Sequence, residues 1–465
     1  MLKFGCYKKS KLSLFNKRIT NHTIYQGGNM LDRYAKDQMK HIWSETSKFY
    51  NWLLVEIAVL NVRQFLGKFS YEVPDGLAES VIIDPKEIDR IEADVTGHDV
   101  IAFLAHISPQ FPDELRSWLH RGLTSYDIGD TGLSMQMRAS IGLLIEKVIK
   151  LMDVIKVAAV QYKYVPEIGR THGIHAEPIT FGVKLANWYD ELQRHHVRLI
   201  RLLETVSVGK ISGAVGLYTI DPEIEEMVCA RLGLKPIIAT QIISRDIIAE
   251  YMSTLGIICA SIGKIATNLR LLSQTEIGEI MEPFGKKQKG SSAMPHKKNP
   301  IGSENLAGLM RVACANVQVA YENLSTCWHE RSLDNSGSER VIIADTSILL
   351  DYAMARLAGI FEKMRVFPDR MMENLNLTKG LVFSQEVMML VAERSGLPRE
   401  DAHTLVKDIA LECWEKRSDF LEALLADEKI MSFVNESDLR ACFELPNKLR
   451  HVDYIFDKVF NPPIN

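Results

Sequence analysis

Three stretches of this chain keep apolar residues three and four positions apart for longer than a compact domain needs. Residues 133–163 contain no proline and place Met137, Ile141, Leu144, Ile145, Val148, Met152 and Ile155 on one helical face. Residues 184–208 repeat the pattern with Leu185, Trp188, Leu192, Leu199, Leu202 and Val206. The longest stretch, 245–282, keeps Ile248, Met252, Leu255, Ile258, Ile262, Ile265, Leu269 and Leu272 in register up to Pro283, which would make a helix of about 57 Å. It also carries Ile247, Tyr251, Ile257 and Cys259 on other sides, so it must bury a second face inside the monomer or against another subunit. Two further helices are expected over 303–328 and 338–365, with Ser303 and Ser338 as N-caps.

The pattern predicts an all-α fold of three domains: a central long-helix bundle over 123–366, a helical unit over 30–122 broken at Pro74, Pro85, Pro109 and Pro112, and a helical unit over 367–465 that opens at Val366-Phe367-Pro368. Residues 1–29 read differently. They hold six basic residues, no acidic one and no apolar core of a secretory signal. Of two readings, an imperfect transit peptide or a segment upstream of a true start at Met30, the second is the expectation.

Beyond residue 29 the chain has 49 basic against 59 acidic residues, and this acidic body argues against a general nucleic-acid surface. No uninterrupted apolar run reaches the ~18 residues of a spanning helix. The seven cysteines lie far apart without a CxxC pair, which fits a reducing compartment and argues against a zinc cluster. A soluble, cytoplasmic protein without metal or cofactor is expected.

The chemistry is concentrated between the helices. Residues 285–300 hold five Lys, two Gly, two Pro and two Ser. A phosphate-binding loop fails in detail, because Ser291-Ser292 stands where a Lys-Ser/Thr pair is required. Backbone N–H groups at Gly290-Ser291-Ser292, with Lys297 and Asn299, suit a carboxylate or oxyanion, and a Ser hydroxyl can carry a proton if a cation and backbone donors stabilise its alkoxide. In Gly169-Arg170-Thr171-His172-Gly173-Ile174-His175, two His without a further ligand make a weak metal site. An imidazole acting as general acid or base is the sharper reading. Thr124 or Ser125 opens a helix whose free N–H groups also suit an anion. Gly97-His98-Asp99 and the run from Trp328 to Arg340 add further His and Arg.

Together these segments resemble one family. Gly290–Pro300, reading GSSAMPHKKNP, is similar to the signature loop of the fumarase/aspartase superfamily of lyases, and its His296-Lys297-Lys298-Asn299 is most similar to the adenylosuccinate lyases within it. Arg33-Tyr34, Gly97-His98-Asp99-Val100, Gly122–Ser125, Gly169–Pro178, Ser244-Arg245-Asp246, and Trp328–Arg331 with Ser336 and Arg340 agree, and the likeness runs through 30–465 in order. Gly97 departs from it, standing where many relatives have a basic or amide residue.

The resemblance implies a carbon–nitrogen lyase of purine nucleotide biosynthesis that releases fumarate from adenylosuccinate and from succinyl-aminoimidazole carboxamide ribotide. It also implies a homotetramer whose active sites each draw on three subunits. On the matching positions, Ser291 is the base and His172 the acid. His98 and His120 line the pocket, and Glu304 orients a catalytic His. Lys297 and Asn299 hold the succinyl carboxylates. Asp99, Thr124, Ser125, Thr171, Gln241 and Ser292 bind substrate, and Arg33, Tyr34, Arg331, Ser336 and Arg340 grip phosphate and sugar. The alternative within the superfamily is another fumarate-releasing lyase, such as one acting on argininosuccinate. A catalytically silent scaffold would have no use for Ser291, Lys297, Asn299 and His172 together.

Overall fold

The computed structural model describes residues 32–285, 294 and 296–461; the basic segment 1–29, Ser291 and Ser292 lie outside the described residues. Glu45–Phe65 (α1) and Asp99–Ile107 (α2) lead into the long helices Ser125–Gln161 (α3), Phe181–Val206 (α4), Asp246–Leu272 (α6), Ile301–Thr326 (α7) and Asp334–Lys363 (α8), with Pro222–Leu232 (α5) between α4 and α6. Pro368–Asn376 (α9), Ser384–Ser395 (α10), Arg399–Lys416 (α11) and Val452–Phe460 (α12) follow, with shorter turns between. The described strands form three two-stranded sheets: Pro166–Thr171 (β1) antiparallel to Ile174–Thr180 (β2), Val208–Gly209 (β3) parallel to Lys235–Pro236 (β4), and Ile280–Met281 (β5) antiparallel to Arg365–Val366 (β6).

The five long helices pack α3 on α4, α3 on α8, α6 on α7 and α7 on α8 around one apolar core. Their spacing explains the packing: the register from Ile248 to Leu272 in α6 is buried. By length and composition alone α6 could cross a membrane, but its buried side belongs to this core. A Cβ at Gly256 would meet Val317 at 2.5 Å, so glycine sets how closely α6 and α7 approach. Tyr251, fully buried, ties three helices: its hydroxyl lies 3.0 Å from Ser140 Oγ of α3 and 2.7 Å from Ser347 Oγ of α8. Every buried hydroxyl in that link has a partner, which a dry core requires.

A second cluster collects α1 and α2, and Ile211, Ile224, Val228 and Leu234 join it from the α5 region. A third lies among α10, α11 and the turns after them, while Val452 and Phe456 of α12 return to the central core.

Three expectations are corrected. The helix expected over 245–282 ends at Leu272, about 40 Å long, because a turn through Gly278 at φ 62° redirects the chain so that β5 pairs with β6. Ser303 is no N-cap: α7 begins at Ile301, and the buried Glu282 carboxylate accepts the N–H groups of Gly302 (2.9 Å) and Ser303 (2.7 Å) from outside the helix. Ser338 lies inside α8, where its hydroxyl donates to Asn323 Oδ1 and to the Asn335 carbonyl.

Between α4 and α6, Arg198 donates to Nδ1 of the buried His195, whose Nε2 lies 2.8 Å from Ser261 Oγ, and Ser261 donates to Glu191. Burial first, then Arg198, pushes the His195 pKa down to about 4. The folded state therefore takes up this proton later than the unfolded chain, so stability present above pH 6.5 is lost as pH falls toward 4. Between pH 6.5 and 5 that amounts to about 2 kcal/mol. Urea unfolding followed by circular dichroism should show that loss, and His195→Gln should show a correspondingly shallower one.

Candidate active site

The N-terminus of α3 is the organising point. The Asp127 carboxylate accepts from the Thr124 N–H at 2.8 Å, closing the first turn. Its other oxygen accepts from Lys210 Nζ at 2.6 Å and the Gly213 N–H at 3.2 Å. Both side chains of this pair are fully buried, and Lys210 Nζ also donates to the Gln241 carbonyl at 3.0 Å. One turn on, Asp130 pairs with buried Arg245 through both oxygens (2.8 and 3.1 Å), and Arg245 also faces Glu339 at 3.0 Å. Burial alone would lower the Arg245 pKa; Asp130 and Glu339 more than reverse it, so the guanidinium stays charged.

This buried charge network carries a polar surface drawn from four distant parts of the chain. His98 caps α2, with Nδ1 3.2 Å from the Val100 N–H, and its Nε2 faces Ser125 Oγ at 3.4 Å. Arg340 of α8 donates to Asp99 at 2.6 Å. Arg331 donates to Gln241 Oε1 at 3.3 Å, and its guanidinium lies 4.0 Å from the Tyr126 ring centroid. Ser336 is half-buried in the first turn of α8. His98, Asp99, Thr124, Ser125, Gln241, Arg331, Ser336 and Arg340 thus share one region. Gly97 is left-handed at φ 60° and ends the turn before His98, and a Cβ there would meet nothing within 4 Å. Its backbone conformation is the reason for glycine at this position.

The remaining expected residues sit on other elements, His120 in the turn just before Thr124 and the rest elsewhere along the chain. His172 and Thr171 are exposed at the β1–β2 tip, where His172 (φ 53°) and Gly173 (φ 80°) form the two-residue turn. The hairpin is held next to its tip by Arg170, bidentate to the fully buried Glu279 at 3.0 and 2.7 Å, and at its base by a Glu167–Lys184 ion pair. Burial and the neighbouring Glu279 carboxylate push the Glu167 pKa up to about 7 against the pull of Lys184, whereas Arg170 and Asn374 overcome burial and hold Glu279 below the ordinary carboxylate value. His120 is also left-handed, at φ 54°, and is gripped by buried Glu56, which accepts from its backbone N–H at 2.9 Å and lies 2.6 Å from Nδ1. Glu304 is exposed in the first turn of α7, Lys297 is exposed and Asn299 half-buried just before it. Tyr34 packs edge-on against Tyr352 at 5.1 Å with Arg33 exposed beside it, three turns and roughly 18 Å along α8 from Arg340.

The sequence of the family profile described as Lyase matches residues 75–318, and that described as Adenylosuccinate lyase C-terminus matches residues 380–459. The adenylosuccinate lyase of Bacillus subtilis (strain 168) is 42% identical over 432 residues, 92% of this chain and 99% of the relative. That of Thermotoga maritima is 42% identical over 431 residues, again 92% and 99%. The chain belongs to the adenylosuccinate lyase family. Among solved structures, the 3-carboxy-cis,cis-muconate lactonizing enzyme from Pseudomonas putida superposes with a TM-score of 0.83 at 27% identity, covering 94% of this chain and 99% of that one. A fumarate lyase from Mesorhizobium sp. BNC1 shares the fold at a TM-score of 0.82 and 24% identity, covering 94% and 100%.

For a member of the adenylosuccinate lyase family, residue-by-residue reading missed the support beneath the site: Glu56, Asp127, Asp130, Lys210 and Glu339. One signal was available. Asp127 and Asp130 fall on the side of α3 that carries buried Ile128 and Thr131, and a carboxylate there needs a cation. Lys210→Ala would leave Asp127 buried without its cation. We expect it to lower the unfolding free energy by about 3–5 kcal/mol in urea titrations, with Lys210→Arg losing less.

Proposed function

We propose that this chain cleaves adenylosuccinate to fumarate and AMP, and the succinyl group of succinyl-aminoimidazole carboxamide ribotide in the same way. The observation that carries this reading is the pair Arg331 and Arg340, braced by Gln241, Tyr126 and Asp99 beside His98 and Ser125, in a chain of this family. Two guanidinium groups held in fixed directions suit a phosphate, which argininosuccinate lacks.

In this reading Ser291 removes a proton from the succinyl carbon next to a carboxylate. The electron pair left behind forms the C=C bond of fumarate as the C–N bond breaks, and His172 supplies the proton that the departing nitrogen takes. The proton is weakly acidic, so most of the catalytic effect must come from stabilising the dianionic intermediate. Lys297, Asn299 and the backbone N–H groups beside Ser291 are placed in that role. Glu304 orients a catalytic His, His120 is set by Glu56, and Thr171 and Ser292 contact the substrate.

We place the chain in a homotetramer whose sites each draw on three subunits. The placement of Tyr34 against Tyr352, roughly 18 Å along α8 from Arg340, supports this, as does the exposure of Ile257, Val312, Tyr321 and Val341 on α6, α7 and α8, which a shared bundle would cover. The six described cysteines form no disulfide, which supports a reducing, cytoplasmic setting.

Purified protein should release fumarate and AMP from adenylosuccinate in equal amounts and leave argininosuccinate intact; the reverse preference would overturn the reading. Ser291→Ala and His172→Ala should each lower kcat by at least ~10³ with smaller effects on KM. Arg340→Met should mainly raise KM, by about tenfold or more, as one charge-assisted contact to phosphate is lost.

A further inference from the structure

Between α6 and α7 lies a four-residue segment, Glu279-Ile280-Met281-Glu282, whose two carboxylates are both buried and point to different catalytic elements. Glu279 accepts both guanidinium nitrogens of Arg170, two residues before His172, and Asn374 Nδ2 of α9 at 2.8 Å. Glu282 accepts the N–H groups of Gly302 and Ser303 and the Ser303 hydroxyl, fixing the turn that carries Asn299 before it and Glu304 after it. A carboxylate at a helix N-terminus is favourably placed against the helix dipole. A Cβ on Gly302 would come within 2.7 Å of the Glu282 carboxylate, so glycine admits this contact.

The segment itself is anchored. Ile280 and Met281 pair with Val366 and Arg365, the Phe367 N–H donates to the Glu279 carbonyl at 3.0 Å, and the Glu279 N–H donates to the last residue of α6, Leu272, at 2.9 Å. Arg370 donates to the carbonyls of Glu276 and Ile277 just upstream. A displacement at either carboxylate must therefore move the whole segment or break its pairing with β6.

We propose that Glu279 and Glu282 are positioning residues joined by this strand into one mount, so that the hairpin bearing His172 and the turn bearing Asn299 and Glu304 are held by a single rigid element. This deepens the lyase reading and rests on it. Where three subunits share a site, a mount of this kind ties the acid of one site to the carboxylate-binding turn of another within the same chain.

The test uses the full-length protein with Glu279→Gln, Glu282→Gln, Glu279→Ala, Glu282→Ala and the double Gln variant. Hydrogen exchange is followed by mass spectrometry at 167–176 and 299–306, and kcat and KM are measured on adenylosuccinate. Glu282→Ala should speed exchange in the distant hairpin 167–176 at least threefold as well as at 299–306, and Glu279→Ala should do the converse. Both Gln variants should lose kcat about tenfold with KM within threefold, and the double variant should lose less than the product of the two. Where an Ala variant fails to assemble, the Gln variant, which keeps one acceptor oxygen, supplies the exchange measurement. Faster exchange confined to the substituted end, or multiplicative losses of kcat, overturns the proposal. If the wild type does not cleave adenylosuccinate while exchange still spreads between the two segments, the lyase reading fails and the mechanical coupling stands.

Discussion

A helix that is apolar on two sides cannot remain solvated on either, and this constraint shapes the protein. α3, α6 and α8 each bury residues around much of their circumference, so they must lie in the middle of a bundle rather than at its edge. Once they do, the polar ends of the long helices and the connections between them are the places left where side chains can meet a water-soluble substrate. The separation of packing in the middle and chemistry at the ends follows from burying long apolar faces.

The site region reverses the usual rule at its base. Asp127 with Lys210, and Asp130 and Glu339 with Arg245, put charges where the burial cost is high. These pairs lie under the segments that carry Thr124, Ser125, Gln241, Arg331 and Arg340, and their hydrogen bonds fix backbone as well as side chains: Lys210 holds the Gln241 carbonyl, and Asp130 accepts the Ile243 N–H at 2.7 Å. The segments carrying Gln241 and Ile243 are thereby tied to the longest described helix. The buried carboxylates of Glu279 and Glu282 repeat the device, one holding Arg170 and the other the first N–H groups of α7.

Much of this was legible in the residues themselves. The three-and-four spacing placed α3 and α4 within a few residues at their C-terminal ends, and the clustering of His, Arg and Ser outside the helices marked the connections that matter. What the spacing could not show was set by long-range contacts. The apolar register of 245–282 reads as helix up to Pro283, but the pull of β6 and of Arg170 on Glu279 ends it ten residues sooner. The segment around His172 reads as a polar connection, and only the pairing of Pro166–Thr171 with Ile174–Thr180 makes it a hairpin. Ser303 and Ser338 follow plausible breaks, yet the partner at the first is a carboxylate twenty-one positions earlier, and the second is held by an asparagine from the preceding helix. The buried ion pairs are a matter of tertiary placement that no local pattern records.

Three histidines, His120, His172 and His329, sit in backbone conformations that glycine adopts more easily. An engineer selecting only for a higher melting temperature would be drawn to glycine at the exposed His172 and His329, because the local strain would vanish along with the ring, whereas at His120 the same change would strip buried Glu56 of its imidazole partner. Thermal hardening pursued without an activity readout would thus tend to erase imidazoles from this protein while leaving its architecture untouched.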